Sequence, residues 1–344
     1  MQALILVGGF ATRLRPFTDN RPKALIPILN KPMIMHIIDK VKGLVDEVIL
    51  AVNYGKEQLA EYFDSHDCGV TVTLHSESEP LGTGGAIKNA EELINDTFLV
   101  FNGDIITSLD IKKYIDFHRQ KGGLGALALW KVDDPSRFGI IAIDDYQRIT
   151  RFLEKPKPEE VFSHLINAGT YCLEPEILEL IPGGRKVSIE REVFPKVLDK
   201  ELYGLEFTGY WFDAGTPGIY LDVHRQLLDI RLKTEPSIKP GEGSVISDTA
   251  NIDSKVIIGN NCKVNSGSVL GPYVFLGDGV TIDTGCQITD SVIDTGTQIG
   301  SNVKGTNIIL GRDNKVEPNL ELPPGLITGD AENVDGEYLD KIVK

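Results

Sequence analysis

The chain has 344 residues, of which 41% are hydrophobic, and a formal net charge of −15 at pH 7. This length predicts two domains, and the acidic balance argues against a nucleic-acid partner, which requires a basic surface. The four cysteines form no C-x-x-C pair, and the apolar runs are shorter than the roughly 20 residues of a membrane span, so we expect a cytoplasmic protein with free thiols and no membrane partner.

Residues 1–230 alternate strand-like and helix-like segments. The strand-like runs lie at 3–7, 48–52 and 98–101, and the helical patterns between them at 33–41 and 56–63. Such alternation predicts a Rossmann-like α/β domain, with a mostly parallel sheet and helices on both of its faces. Because the crossovers are right-handed, we expect the loops that follow the strands to gather at one edge of the sheet.

A linker and a second domain follow. Two prolines and a glycine interrupt the helical pattern within 233–241, and we assign the linker to 231–243. Beyond this linker an aliphatic residue recurs every six positions, at Ile246, Ile252, Ile258, Val264, Leu270, Leu276, Ile282 and Ile288, and the pattern resumes at Ile293 with one residue missing. A period of six predicts a left-handed parallel β-helix, which we assign to 244–325, with a cap and tail at 326–344.

The loop after the first strand combines glycine with positive charge. Gly8 and Gly9 follow the apolar run directly, and glycines there let backbone N–H groups approach an anion. Four cations follow in the same loop, Arg13, Arg15, Arg21 and Lys23. The spacing fits neither a P-loop nor the dinucleotide fingerprint, so the residues alone predict a phosphate site of another kind at the end of a strand.

This segment resembles the signature of the sugar-1-phosphate nucleotidylyltransferases, whose pattern runs G-G-x-G/A-T-R-L-x-P-x-T…P-K. The residues that fall on the pattern are Gly8, Gly9, Ala11, Thr12, Arg13, Leu14, Pro16, Thr18, Pro22 and Lys23. The resemblance implies that Arg13 and Lys23 are catalytic contacts to the phosphates of a nucleoside triphosphate and a sugar 1-phosphate. It implies further nucleotide contacts from Leu6, Gly8, Gly9 and Thr12.

Two aspartates follow apolar segments that lie far apart in the chain. Asp104 comes shortly after the run 98–101, and Asp213 precedes a Gly-Thr-Pro turn in the segment 211–217. Position alone explains Asp104 equally well as a metal ligand or as part of a turn or helix cap. Asp213 could cap the helix that follows it, although Thr216 would serve better there. The resemblance makes both carboxylates ligands of Mg²⁺, the cofactor we expect, and gives Asp104 a nucleotide contact as well.

Three short elements resemble the sugar-binding parts of the same family and occur in the family's order. They are Phe138-Gly139-Ile140, Glu154-Lys155-Pro156 and Asn167-Ala168-Gly169. The resemblance implies that Gly139 lies against the sugar, that Glu154 and Asn167 bind hydroxyls, and that Lys155 reaches the sugar phosphate.

The segment 79–87 is expected to line the base through Gly82, Thr83 and Gly85. Its Gly-Thr-Gly-Gly-Ala run resembles the guanylyltransferases that act on mannose 1-phosphate. Small residues accept several bases, so uridylyl or thymidylyl transfer to glucose 1-phosphate stays open.

The reaction implied by this resemblance is in-line attack of a sugar 1-phosphate on the α-phosphorus of the triphosphate. The nucleophile is already an anion, so positioning and charge neutralisation suffice without a general base. A non-catalytic regulatory subunit that binds nucleotide-sugar is the alternative of another class, although Arg13, Lys23 and both aspartates are present. A bifunctional acetyltransferase is disfavoured because the predicted β-helix contains no histidine base. The open ends of a short solenoid predict a homo-oligomer formed through that domain.

Overall fold

The computed structural model describes residues 1–235 and 237–342. Its contacts divide the chain into two compact units, the first Met1–Phe10, Pro22–Leu25 and Met33–Asp213, and the second Ala11–Arg21, Ile26–Pro32 and Ala214–Lys344. The domain boundaries drawn from the sequence stay predictions. Residue 236 of the predicted linker and residues 343 and 344 of the predicted tail lie outside the described residues.

The strands up to residue 213 are β1 (Gln2–Leu6), β2 (Pro27–Ile28), β3 (Lys31–Pro32), β4 (Glu47–Val52), β5 (Thr71–Ser76), β6 (Phe98–Asn102), β7 (Ile105–Thr107), β8 (Gly125–Lys131), β9 (Gly139–Ile143), β10 (Ile149–Glu154), β11 (Leu165–Leu173), β12 (Leu202–Glu206) and β13 (Trp211–Asp213). The α-helices in the same stretch are α1 (Met33–Val41), α2 (Lys56–Ser65), α3 (Gly82–Asn89) and α4 (Ile111–Lys121). Of these elements, the short pair β2 and β3 belongs to the second unit.

The main sheet of the first unit has the strand order β10-β9-β11-β6-β1-β4-β5, with β8 beside β11 and β12 beside β8. β1 runs parallel to β4 and β6, and β4 runs parallel to β5. β11 is antiparallel to β6, β8 and β9, and β9 is antiparallel to β10. The predicted α/β class is confirmed. The sheet is mixed, because β11 and β9 pair antiparallel with their neighbours. Antiparallel neighbours need no helical crossover between them.

Alternate residues of β1 enter different hydrophobic cores. Leu4 packs in a cluster that contains Ile87 of α3. Ala3 and Ile5 pack in another cluster, with Ile37 of α1. The alternation follows from the two-residue period of a strand, and it confirms that helices cover both faces of the sheet.

The second unit contains a long helix and the β-helix. The helices are α5 (Pro217–Leu232) and α6 (Gly336–Ile342). The strands are β14 (Val245–Ile246), β15 (Asn251–Ile252), β16 (Val256–Ile258), β17 (Lys263–Val264), β18 (Val269–Leu270), β19 (Val274–Leu276), β20 (Thr281–Ile282), β21 (Gln287–Thr289), β22 (Ser291–Ile293), β23 (Gln298–Ile299), β24 (Lys304–Thr306), β25 (Ile309–Leu310), β26 (Lys315–Val316), β27 (Glu321–Leu322) and β28 (Asn333–Val334).

The strand register confirms the predicted β-helix. Over the described residues, β14–β28 form three parallel sheets. Each strand pairs with the strand three places later in the chain, except that β26 pairs with β28, two places later. Val245 pairs with Lys263 and Lys263 with Thr281, so each of these coils spans three hexapeptides. The next coil, from Thr281 to Gln298, is one residue shorter, which matches the slip seen in the sequence. The six-residue column forms the apolar interior, where Ile282 is fully buried.

The cysteines are buried free thiols, as the sequence predicts. Burial raises the pKa of Cys172 to about 12, so this thiol stays protonated. Within residues 1–235 and 237–342, we find no helix with the length and apolar character that a membrane crossing would require.

Candidate functional site

The carboxyl ends of β1 and β6 meet beside a cavity of about 400 Å³. Leu6 is the register partner of Asn102, so the glycines after β1 lie next to the turn after β6. The Gly103 N–H donates to the Leu6 carbonyl oxygen, 3.0 Å away. A Cβ on Gly103 would be 2.7 Å from that oxygen, so only glycine permits the close approach that directs Asp104 into the cavity.

Lys23 and Asp104 form an ion pair in this cavity. Lys23 Nζ lies 2.8 Å from Asp104 Oδ2, and the two side chains are 12% and 37% exposed. Lys23 opens a short 3₁₀ turn, Lys23–Leu25, and the next residue, Ala24, is buried in a core of the main sheet. The backbone under Lys23 is thereby fixed, while its charged end faces the cavity. An anion that enters this cavity meets a positioned cation.

Asp213 lies beside Asp104, although the two are far apart in the sequence. β13 pairs antiparallel with β7, and Asp213 is the register partner of Ile105, the residue after Asp104. Both aspartates line a second cavity, of about 490 Å³. Two carboxylates in one polar cavity suit Mg²⁺, which binds a few carboxylates and takes its other oxygen ligands from substrate phosphate and water. Among the described residues, we find no group of three or more His, Cys, Asp and Glu side chains that could hold a metal ion.

The second cavity also contains the residues that the sequence predicts for the sugar phosphate, namely Gly139, Glu154, Lys155 and Asn167. Gly139 is the register partner of Glu154 on β10. A Cβ on Gly139 would be 2.6 Å from the Glu154 carboxylate, so glycine is required for that side chain to lie across the strand. A bulge in the β11–β8 ladder falls between Asn167 and Tyr171, and such irregularities redirect side chains.

A hydrogen-bonded network around Glu190 supports this cavity. Glu190 is only 8% exposed and lies in the short π-helical turn Ile189–Val193. Its carboxylate accepts from the hydroxyls of Thr83, Ser188 and Tyr171, at 2.6, 2.7 and 3.3 Å. Asn167 Nδ2 in turn donates to the Tyr171 hydroxyl oxygen at 2.8 Å. Buried polar groups satisfied in this way are rigid, and they hold Asn167 in a defined orientation.

Charged side chains of both signs line the second cavity. Burial raises the pKa of Glu154, and the charge of Glu190 raises it further, while Lys155 and Arg191 act in the opposite direction. Arg137 and Lys186 line the same cavity as Lys155 and Arg191. Four cations around a cavity that also holds carboxylates suit a ligand carrying both phosphate and hydroxyl groups.

Glu77 and the start of α3 also line the first cavity. Gly82 and Thr83 line it, and both also line the second cavity. Gly85 does not face either cavity: its N–H donates to the Val187 carbonyl oxygen, and a Cβ there would be 3.1 Å from the Arg185 carbonyl oxygen. Gly85 therefore permits close packing of α3 against the segment 185–187.

The remaining residues of the opening loop belong to the second unit. Thr12 and Arg13 lie in the 3₁₀ turn Thr12–Leu14, after Ala11, whose backbone is left-handed. Two of the four loop cations have acidic partners within that unit: Arg15 pairs with Asp19 at 3.0 Å and Arg21 with Asp294 at 2.5 Å. The roles predicted for Thr12 and Arg13 stay predictions.

Sequence reasoning missed Glu77 and the polar residues of the segment 186–191. The missed segment contains no glycine or proline, and its residues follow no spacing that signals a site. A single glutamate after the partly polar strand β5 gives no stronger signal, because most glutamates are exposed surface residues.

Comparisons with known proteins agree with this geometry. Residues 2–230 match the family described as "Nucleotidyl transferase", and residues 252–340 match the "GMPPB C-terminal domain". A probable mannose-1-phosphate guanylyltransferase 3 of Oryza sativa subsp. japonica is 34% identical over 98% of this chain and 93% of its own. A mannose-1-phosphate guanyltransferase of Saccharomyces cerevisiae is 40% identical over 74% of this chain and 72% of its own.

Two solved structures are similar to part of the chain. One is a putative glucose-1-phosphate thymidylyltransferase from Bacillus anthracis, with a TM-score of 0.60 and 28% identity, over 66% of this chain and 94% of that one. The other is HddC from Yersinia pseudotuberculosis complexed with GMP-PN, with a TM-score of 0.56 and 30% identity, over 66% of this chain and 99% of that one.

Proposed function

Since the chain belongs to the nucleotidyl transferase family, we propose that it transfers a guanylyl group from GTP to mannose 1-phosphate, giving GDP-mannose and pyrophosphate. The observation that carries the proposal is the shared wall of the two cavities. Asp104, Lys186 and Thr83 line both of them. A nucleotide in the first cavity and a sugar phosphate in the second would therefore meet at Asp104.

The chemistry requires positioned charge rather than a proton acceptor. The attacking oxygen of the sugar phosphate is an anion, and negative charge grows on the departing pyrophosphate. Lys23 in the first cavity, and Lys155 and Arg191 in the second, stabilise that charge and hold the two phosphates in line. By the resemblance, Thr12, Arg13 and the amides of Gly8 and Gly9 contribute further donors.

Asp104 and Asp213 would hold Mg²⁺, because both line the second cavity and Asp213 is the register partner of Ile105, the residue after Asp104. When bound, the ion supplies a positive charge to phosphate oxygens. Lys23 already neutralises Asp104 in this structure, and it keeps the carboxylate oriented toward the cavity before any ligand arrives.

Glu77 supports the choice of guanine. Burial raises the pKa of this carboxyl, whereas the N–H of Leu81, which donates to Glu77 Oε2 at 3.0 Å, lowers it less. A carboxylate only accepts hydrogen bonds, and guanine offers it a ring N–H and an amino group together. Uracil and thymine offer a single ring N–H on the corresponding edge. A guanine in the first cavity would therefore satisfy Glu77 best.

The decisive experiment is pyrophosphate release with GTP, UTP and dTTP, each combined with the 1-phosphates of mannose, glucose and N-acetylglucosamine. We expect GTP with mannose 1-phosphate to give the highest kcat/KM. A higher kcat/KM for UTP or dTTP with glucose 1-phosphate would replace the proposal by the uridylyl or thymidylyl alternative. Nucleotide-sugar binding without pyrophosphate release would favour the regulatory subunit. The homo-oligomer and the cytoplasmic location stay predictions from the sequence.

A further inference from the structure

Arg21 is a buried cation that the proposed reaction does not use. It is 3% exposed, and its guanidinium lies 2.5 Å from Asp294 Oδ2, on a side chain that is 4% exposed. A second carboxylate, that of Asp330, lies 3.6 Å from the same guanidinium. Arg21 Nε donates to the Phe17 carbonyl oxygen at 3.3 Å, and the Phe17 ring covers the guanidinium at 4.3 Å. All of these residues belong to the second unit.

Buried aromatic side chains surround this ion pair. Phe17 and Tyr220 are buried, with ring centroids 5.7 Å apart, and the Tyr220 hydroxyl donates to the Pro27 carbonyl oxygen at 2.5 Å. Arg312 pairs with Asp330 at 2.7 Å, so the second carboxylate has a cation of its own. Charges in such a medium are weakly screened, and removing one partner of a buried pair leaves the other uncompensated.

The position of Arg21 in the chain connects this pair to the candidate site. The residues before the segment 11–21, Gly8 to Phe10, line the first cavity, and so does Lys23, two residues after Arg21. Asp294 directly follows the β-helix strand β22 and is far from Arg21 in sequence. The ion pair therefore fixes one end of the segment that carries Thr12 and Arg13 to a coil of the β-helix.

We propose that Arg21 is a positioning residue, which acts through Asp294 to make turnover depend on the β-helix. This inference rests on the proposed guanylyl transfer, for which the resemblance assigns phosphate contacts to Thr12 and Arg13. The β-helix then contributes to catalysis by holding the opening loop, with no contact of its own to substrate.

Three full-length variants separate positioning from stability: Arg21→Met, Asp294→Leu and the double variant. Each single change leaves a buried charge unpaired, so both lower Tm by several degrees. The double variant removes both charges and recovers Tm, because apolar residues of similar volume replace a buried pair well. We expect kcat to fall about 100-fold in all three, since loss of orientation at a reacting group has effects of that size.

The kinetic constants give a second readout. The residues that line the second cavity all belong to the first unit, so KM for mannose 1-phosphate should stay near the wild-type value while kcat falls. The matched control is the double variant Arg225→Met with Asp290→Leu. It removes another Arg–Asp ion pair of the second unit, whose side chains are 27% and 30% exposed. This control should leave kcat unchanged.

A double variant that recovers kcat together with Tm would overturn the proposal, and so would Arg21→Met with wild-type kcat. Amide hydrogen exchange of the segment 11–21 in the unliganded protein tests the anchor independently of the reaction. Exchange should rise in the double variant and not in the control. Unchanged exchange in the double variant would reject the anchor, whichever reaction the protein catalyses. If the wild-type protein released no pyrophosphate but the exchange results were as expected, only the proposed guanylyl transfer would be rejected.

Discussion

The two units of the chain use the same kind of ion pair in opposite ways. In the first unit Lys23 and Asp104 meet at the wall of a cavity, and Asp104 is 37% exposed. In the second unit Arg21 and Asp294 are closed off from solvent between the opening loop and the β-helix. An open pair can exchange its partner for a phosphate or a metal, whereas a closed pair can only hold structure. Burial, rather than residue type, thus separates a functional charge from a structural one.

The largest effect expected from this comparison is on turnover at the open pair. Lys23→Ala should lower kcat about 100- to 1,000-fold, the size of loss seen when a positioned charge-stabilising donor is removed. The circular dichroism spectrum should stay that of the wild type, because the pair is accessible to water. Lys42→Ala is the control, since Lys42 pairs with Asp39 at the surface and should not affect kcat. Near-normal turnover of Lys23→Ala would remove Lys23 from the mechanism.

The next effect concerns the stability of the β-helix. Ile282→Ala removes a fully buried side chain from its interior, and we expect it to lower the free energy of unfolding by about 2–5 kcal/mol. Urea titration at 25 °C measures the loss, and kcat of the folded protein should not change. Thr281→Ala, on the outer side of the same strand, should cost less than about 0.5 kcal/mol. Equal losses for the two variants would contradict the inward orientation of the six-residue column.

A smaller effect is expected on base selectivity. Glu77→Gln replaces one acceptor oxygen by a donor, so a guanine would lose one charged hydrogen bond in the first cavity. Hydrogen bonds to charged groups contribute about 1.5–3 kcal/mol, so kcat/KM for GTP relative to UTP should fall roughly 10- to 100-fold. Glu61→Gln is the control, because Glu61 is exposed on α2 and lines neither cavity. An unchanged ratio for Glu77→Gln would mean that another group reads the base.

The smallest effect is a pH-dependent change in stability at the second cavity. Folding raises the pKa of Glu154 above 4.5, chiefly by burial and then by the charge of Glu190. A carboxyl group whose pKa is raised by folding stabilises the fold at pH values below its pKa in the unfolded state. It loses that contribution as the pH rises through its pKa in the folded state. Glu154→Gln should therefore raise Tm relative to the wild type at about pH 7 and have little effect at about pH 4.

Glu192→Gln is the comparison, because it should change Tm at about pH 7 in the direction opposite to Glu154→Gln. Its pKa is lowered by the hydrogen bond from Arg185 and by the Ser188 N–H, so the native carboxylate stabilises the fold above its unfolded pKa. This variant should lower Tm at about pH 7. The same sign for both variants, in thermal scans across the pH range, would contradict the assignment for Glu154.

The residues that could be predicted from the sequence are those whose spacing is set locally. Gly8, Gly9 and Lys23 follow a strand within one loop, and the six-residue period sets the coil of the β-helix without reference to the rest of the chain. The mixed half of the sheet was not predicted, because hairpin pairing and crossover pairing leave similar apolar runs.

The sequence by itself determined the two architectures, the opening loop and the aspartates as candidates. Only the tertiary structure decided which charged side chains line a cavity and which are buried away from solvent. Arg21 and Lys23 are two residues apart and look alike in the sequence, yet one meets Asp294 and the other Asp104. Glu77 and Glu190 acquire their buried positions in the same way. The reason is physical: the exposure and partner of a charge depend on residues distant in the chain, which local spacing does not encode.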